Sequence, residues 1–337
     1  MRVFQVEGSW SRQNLRLAER PEPEPGPGEV RLRMRAAALN YRDLLVPEKG
    51  YGSRMKALPL IMLSDGVGVV DRLGAGVSGP AVGSRVCPLF FQSWQDGEPD
   101  DAKLAHSLGC ELDGTMADYM VLPAAGVAPV PEHLSDAEAA TLPTAGVTAW
   151  RALITEGRLR PGERVLVQGT GGVSLFALLF AKLAGAFVVV TSSSDEKLER
   201  ARALGADATL NYRTTPEWGR PARELAGGGL DHVVEVGGQG TLPRSLRAVR
   251  GGGTISLIGV LAGGSMDAHL GLVVTRHVRL QGITVGSRDD FRAMAQAIGE
   301  GGLKPPVDDS EFTFDNLHAA LDHLASGGHF GKIVIRF

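Results

Sequence analysis

The stretch "VLVQGTGGVSLFA", residues 165–177, constrains this chain more than any other. A short apolar run, 164–169, gives way to Gly169, Gly171 and Gly172, and a helical pattern starts near Gly172. Glycines at a strand-to-helix turn allow a tight bend and let backbone amides approach a pyrophosphate. The helix N-terminus adds favourable electrostatics for that anion. Ser174 stands where a third fingerprint glycine would sit. The context compensates for that departure: strand before, helix after, and a second strand about 20 residues on. A dinucleotide site is expected.

That second strand, "FVVVTSS" (187–193), ends about where an acidic residue commonly grips the ribose of NAD. Here the chain offers Thr191, Ser192, Ser193 and Ser194, with Asp195 arriving late. A carboxylate would accept from a 2′-hydroxyl but repel a 2′-phosphate; small hydroxyls followed by Lys197 reverse that preference. Ser193 and Glu196 also fit a capping box, with Ser193 as N-cap. Asp195 and Glu196 argue against a phosphate, but the balance favours NADP(H) over NAD(H).

Around this site the chain alternates strand and helix. "DEKLERARALG" (195–205) reads as a helix, and "DHVVEVGG" (231–238), "GTISLIGV" (253–260) and "RLQGITVG" (279–286) read as strands. Apolar strands joined by helices make a parallel sheet covered on both faces. Up to residue 123 the rhythm differs. Short strands at 30–36, 66–74 and 84–90, a Pro/Glu/Gly loop at 19–29 and a polar excursion at 92–110 suggest a barrel-like β domain. The tail places Phe291, Met294, Ala295 and Ile298 on one helical face, then Leu317, Leu321 and Leu324 on another, with His318 and His323 off the stripe and solvated. The closing "GKIVIRF" is a strand. The expected fold class is α/β: a Rossmann-type doubly wound parallel sheet over 124–287, a β-barrel domain over 1–123, and a return to that domain over 288–337.

Composition narrows the partners. A net charge of −3 over 337 residues gives no reason to expect nucleic acid or an anionic membrane. Arg31, Arg33 and Arg35 alternate with Val30, Leu32 and Met34, the pattern of a strand with one wet face. Two cysteines, Cys87 and Cys110, imply no disulfide framework. The N-terminal segment lacks the apolar core of a signal peptide, and Lys182 and Gly185 break the longest apolar stretch, 173–190. A cytoplasmic protein without membrane association is expected.

Several segments together resemble the medium-chain dehydrogenase/reductase superfamily: "ALNYRDLLVPEKGYG" (38–52), "PLIMLSDGVGVV" (59–70), "LPTAGVTAWRAL" (142–153), "GTGGVSLFA", and "SSSDEKLERARALGADATLNYR" (192–213). The resemblance covers essentially the whole chain. It implies a GroES-like catalytic barrel beside the Rossmann domain, and a homodimer joined through the Rossmann sheet edge near 279–286. Zinc alcohol dehydrogenases of the superfamily carry metal ligands where this chain has Asn40, Ser64 and Thr144. One remaining carboxylate, Asp65, is not a tetrahedral site. The structural zinc loop, which needs four close cysteines, is also missing. The resemblance is therefore to the zinc-independent branch of quinone oxidoreductases and enoyl reductases, with no bound metal. By that resemblance Gly169, Thr170, Gly171, Gly172 and Val173 contact the pyrophosphate. Ser192, Ser193, Lys197 and Tyr212 surround the 2′-phosphate, while Thr148, Val236 and Gly259 lie along the nicotinamide half. Lys332 is a weaker cofactor candidate, with an exposed strand residue as the alternative.

Without a metal, a carbonyl has no Lewis acid and an alcohol no pKa-lowering partner. Hydride transfer then favours electron-poor small molecules such as quinones or α,β-unsaturated carbonyls, and the developing enolate needs donors. Asn40 and Tyr41 are the candidate catalytic donors; the alternative is that Asn40 and Asp43 stabilise a loop and Tyr41 packs on the barrel. Tyr51, Ser64 and Asp65 are candidates for the substrate pocket. The leading expectation is an NADPH-dependent enone, enal or quinone reductase. A zinc-free NADP(H) alcohol or aldehyde dehydrogenase stands second, and a cofactor-binding protein with little turnover third.

Overall fold

The computed structural model describes residues 1–265 and 270–337. They form two compact units, Met1–Val147 with Val285–Phe337, and Thr148–Thr284. The first unit opens with β1 (Arg2–Val6), β2 (Leu15–Glu19), β3 (Glu29–Ala38), β4 (Leu60–Ile61), β5 (Asp65–Leu73), β6 (Arg85–Pro88), β7 (Tyr119–Pro123) and β8 (Val127–Pro129), then the short helix α1 (Asp136–Ala139). A helical stretch follows, with two π-helical turns, Leu142–Gly146 and Arg151–Thr155, around α2 (Val147–Trp150).

The second unit alternates strand and helix: β9 (Arg164–Gln168), α3 (Gly172–Leu183), β10 (Phe187–Ser192), α4 (Asp195–Ala203), β11 (Ala208–Asn211), α5 (Gly219–Leu225), β12 (Leu230–Glu235), α6 (Leu242–Ala248), β13 (Val249–Leu257), α7 (Leu270–Thr275) and β14 (Arg279–Gly282). The chain then returns to the first unit with α8 (Arg288–Gly301), β15 (Phe312–Thr313), α9 (Leu317–Ser326) and β16 (Val334–Arg336).

In the second unit the strand order is β11-β10-β9-β12-β13-β14, all parallel. The order reverses between β9 and β12, the switch point at which doubly wound sheets open a crevice at their C-terminal ends. Val165, Leu166 and Val167 on β9, and Val188, Val189 and Val190 on β10, are all fully buried. Their near-continuous apolar runs are what a strand covered on both faces requires.

The first unit holds a mixed sheet in the order β15-β16-β3-β5-β6-β8, with β7 also on β3, and a small sheet β2-β1-β4. Its core packs Phe4, Leu39, Met62, Met116 and Phe314 with Leu317, Leu321 and Ile335 of the returning tail.

Several expectations shift. The division falls at 147/148 and 284/285 rather than at 123/124 and 287/288. Residues 124–147 stay with the barrel because β8 pairs antiparallel with β6, and Asp136 of α1 meets Arg35 and Arg85. Arg31 is not on a wet face. It is 3% exposed, forks onto Asp71 at 2.8 and 3.0 Å, and lies over the Tyr119 ring, so alternation alone misread a charge that carries its own partners. His323 is half-buried against Asp308 at 2.9 Å, whereas His318 is exposed. The strands drawn at 253–260 and 279–286 stop at Leu257 and Gly282.

Candidate functional site

In the first unit a polar cluster forms where four distant segments meet. Asn40 precedes a single 3₁₀ turn, Tyr41–Leu44, and its backbone N–H donates to Asp43 Oδ2 at 2.7 Å. Asp43 is fully buried, and burial, opposed by the Arg42 charge, pushes its carboxyl up to about 6. Arg42 donates to Leu108 O at 2.8 Å and lies over the rings of Phe90 and Tyr51. Asp43 thus caps a turn, as the loop-stabilising alternative expected.

Asp65 opens β5 and is also fully buried. Its Oδ1 accepts from Thr144 Oγ1 at 2.5 Å, and its Oδ2 from Lys332 Nζ at 3.2 Å. Lys332 also donates to Asn40 Oδ1 at 2.7 Å and to Leu39 O. It is 3% exposed, so it is no exposed strand residue, and its three protons face three protein oxygens in this unit.

Three polar atoms in the cluster are closed to solvent and have no hydrogen-bond partner among the described residues: the donors Asn40 Nδ2 and Ser64 Oγ, and the acceptor Asp43 Oδ1. Leu63, just before Ser64, adopts a left-handed φ of 68°. Its carbonyl faces Gly114, where a Cβ would come within 2.0 Å, so a strained backbone is wedged beside the orphaned hydroxyl. Tyr41 is 47% exposed on the surface next to Asn40, and Tyr51 is partly buried on Arg42.

In the second unit the glycine turn lies between β9 and α3 as expected. Gly169 has φ +75°, which favours glycine. Gly171 is the N-cap of α3 with an ordinary φ of −81° and no side-chain cap. A Cβ on Gly171 would meet nothing within 4 Å, so the protein's own packing does not demand glycine there. The open helix terminus leaves room for an anion to approach the backbone closely. Ser174 is not a degraded glycine: its hydroxyl donates to Gln168 O at 2.6 Å and stitches the helix to the strand.

At the end of β10, Ser192 is buried, Ser193 is half-buried and Tyr212 N donates to Ser192 O at 3.0 Å. Lys197 stands in the first turn of α4. The helix N-cap is Ser194, whose Oγ accepts from Lys197 N, and not Ser193. Because α4 starts at Asp195, Glu196 falls one position short of the capping-box site. Asp195 Oδ1 accepts from Asn211 Nδ2 at 2.7 Å, which ties the late acid to the neighbouring strand. Thr148 is buried and donates to Thr284 O at 3.0 Å. Val236 and Gly259 follow the ends of β12 and β13, where a Cβ on Gly259 would come within 2.4 Å of Val236 O. Gln168, Gly169–Val173, Val236 and Gly259 therefore share the C-terminal rim of the sheet, and they fit a dinucleotide.

Glu235 was not anticipated. It is fully buried at the end of β12 and accepts from Gly237 N, Gly238 N, Thr241 Oγ1, Gln168 Nε2 and Ser245 Oγ. Five donors on one carboxylate lock the turn beside the glycine cradle. A lone acid inside the apolar run "DHVVEVGG" was the available signal.

Two family models match the chain: "Alcohol dehydrogenase GroES-like domain" over residues 26–132 and "Zinc-binding dehydrogenase" over 172–300. The chain is 44% identical to a zinc-type alcohol dehydrogenase-like protein of Schizosaccharomyces pombe, covering 89% of this chain and 88% of that one. It is 28% identical to an acryloyl-coenzyme A reductase of Sulfurisphaera tokodaii along the full length of both. Among solved structures, an NAD-dependent alcohol dehydrogenase superposes with a TM-score of 0.90 at 35% identity, covering all of both chains. The 2-octenoyl-CoA carboxylase reductase CinF, in complex with NADP and 2-octenoyl-CoA, gives 0.84 at 26% identity, covering 96% of this chain and 82% of that one.

Zinc, which one of these family descriptions implies, does not suit the donor set of the first unit. Asn40 Oδ1 and both Asp65 oxygens already face Lys332 or Thr144, and the cluster adds no thiolate or imidazole to complete the three or four protein ligands that zinc takes. Burial raises the Cys87 and Cys110 thiols, which disfavours thiolate at either. Among the described residues no three His, Cys, Asp or Glu side chains stand together as a metal site, and no helix is long and apolar enough to cross a membrane. With a GroES-like domain, a Rossmann sheet carrying its glycine turn, and relatives that match nearly end to end, the chain belongs to the medium-chain dehydrogenase/reductase superfamily of oxidoreductases.

Proposed function

We propose that this chain is a zinc-independent, NADPH-dependent reductase of activated alkenes or quinones. The observation that carries the reading is two buried donors without a partner among the described residues: Asn40 Nδ2, whose amide oxygen accepts from the buried Lys332, and Ser64 Oγ. A buried donor without an acceptor costs about 1–3 kcal/mol, and an incoming substrate oxygen recovers that cost. Such donors strengthen as charge develops on the oxygen, because no water competes for them. Bound NADPH supplies the hydride. Asn40 Nδ2 and Ser64 Oγ hold the enolate or quinol oxygen, and the exposed Tyr41 hydroxyl is the proton source nearest Asn40 in sequence. The likeness to an acryloyl-coenzyme A reductase supports reduction of a conjugated double bond.

For the cofactor, the hydroxyls of Ser192 and Ser193 at the end of β10, Tyr212 on the backbone of Ser192, Lys197 in the first turn of α4 and Asp195 turned to Asn211 support a 2′-phosphate. CinF binds NADP, while the 35% identical neighbour is named NAD-dependent, so measured NADPH and NADH affinities decide between them. A second reading, a zinc-free alcohol or aldehyde dehydrogenase, draws on the 44% identical relative named alcohol dehydrogenase-like. A panel of quinones, enones and secondary alcohols, followed by NADPH absorbance, separates these readings. Turnover of secondary alcohols alone overturns the first. Tight NADPH binding without turnover leaves a cofactor-binding protein.

We also propose a homodimer through β14. It is the edge of the parallel sheet, and Leu280 on it and Val274 just before it are exposed. Light scattering of Leu280→Asp against the parent checks this; a monomeric parent ends it.

A further inference from the structure

We propose that Lys332 is a positioning residue that sets which end of the Asn40 amide faces the substrate oxygen. This rests on the reading of Asn40 as a donor, and adds the group that makes it one. An ammonium has three protons and no lone pair. Here the three acceptors are Leu39 O, Asn40 Oδ1 at 2.7 Å and Asp65 Oδ2 at 3.2 Å. The reversed amide would aim two N–H groups at a buried positive charge and break one of those bonds. Lys332 therefore excludes it, and Nδ2 is left pointing away with no protein acceptor.

The ammonium is itself fixed. Asp65 is fully buried, and its other oxygen is held by Thr144 in a π-helical turn. The backbone carries Lys332 in along a constrained path. Gly331 has φ +82°, and a Cβ there would come within 2.3 Å of Pro306 O. Leu39 N donates to Ile333 O at 3.0 Å, and β16 then pairs with β3 through Val334 and Ala38. Two residues 292 positions apart are thus held at one register, with the ammonium on the amide oxygen.

The test is a double-mutant cycle in kcat for NADPH-dependent reduction of 2-cyclohexenone. Asn40→Ala and Lys332→Met each lower kcat about 100-fold, and the double variant falls no more than about twofold below either. Adding Asp65→Asn to Lys332→Met removes the uncompensated buried carboxylate, so that a foldable comparison exists. Methylammonium restores part of kcat in Lys332→Ala. Equal factors for Lys332→Met in the parent and in the Asn40→Ala background overturn the positioning role, while leaving Asn40 as a donor if its own variant is slow. If the parent reduces no enone, the reading of the reaction fails and the geometry is still decided by NMR. The side-chain ¹⁵N–¹H₂ pair assigned through Asn40→Ala shifts and broadens in the Lys332→Met/Asp65→Asn variant. An unchanged pair overturns the proposal.

Discussion

The two units arrange their polar chemistry in opposite ways. In the first, side chains are bound to each other: Thr144 to Asp65, Asp65 to Lys332, Lys332 to Asn40, and the Asn40 backbone to Asp43. Within it Asn40 Nδ2 and Asp43 Oδ1 have no partner among the described residues, nor has Ser64 Oγ, next to Asp65 in sequence. In the second, the cradle is made of backbone, and the side chains behind it, Glu235 above all, exist to hold that backbone still. Glycine shows the contrast most simply. Gly114 is required because the protein itself fills the space where a Cβ would go; Gly171 stands at an open rim. One unit is tuned by charge placement, the other by vacancy.

The sharpest way to break this comparison is to add one methyl group in each unit. Gly114→Ala sets a Cβ 2.0 Å from Leu63 O and 2.3 Å from Met62 O. It is expected to cost more than about 4 kcal/mol, seen as insoluble protein or a fall in Tm of about 10 °C. Gly171→Ala is expected to change apo stability by less than about 1 kcal/mol, yet to weaken NADPH binding at least tenfold by calorimetry. A large Tm loss at Gly171 would erase the distinction.

Asp43 tests the first unit by pH. Its carboxyl is raised from 3.8 to about 6, so the folded state holds the proton more tightly than the unfolded one. Stability from this group is present below about pH 4 and is lost as pH rises through about 6, by on the order of 3 kcal/mol. Urea midpoints for the parent, minus those for Asp43→Asn, should fall across that window and level off above it. A flat difference would remove the burial argument.

The smallest expected effect is Lys197→Ala, which should lower affinity for NADPH about five- to tenfold and leave NADH within about twofold. Equal losses for both cofactors would detach Lys197 from the 2′-phosphate.

Much of the second unit was legible because local patterns decide it: glycine spacing fixes the turn, and runs such as "RVLVQG" fix buried parallel strands. The capping residue was missed by one position, since Ser193 and Ser194 are chemically alike and only the end of β10 selects between them. In the first unit Asn40, Ser64 and Asp65 were legible through the family pattern. The link from Lys332 to Asn40 was not, because no local rule relates residues 292 apart. Arg31 failed for a similar reason: its partner Asp71 lies on the paired strand and 40 positions away. Glu235 is legible only in part, as an acid too deep in an apolar strand to lack partners.

The return of the tail also bears on how the protein is made. Residues 148–284 are continuous and need nothing after them to complete their parallel sheet, whereas β16 at 334–336 is the neighbour of β3 in the sheet of the first unit. During synthesis the later-encoded unit can therefore finish first. The earlier one waits with an open sheet edge and the Asp65 carboxylate without its cation until residues 332–336 have been made. Loss of residues 332–337 alone would leave the first unit permanently unfinished.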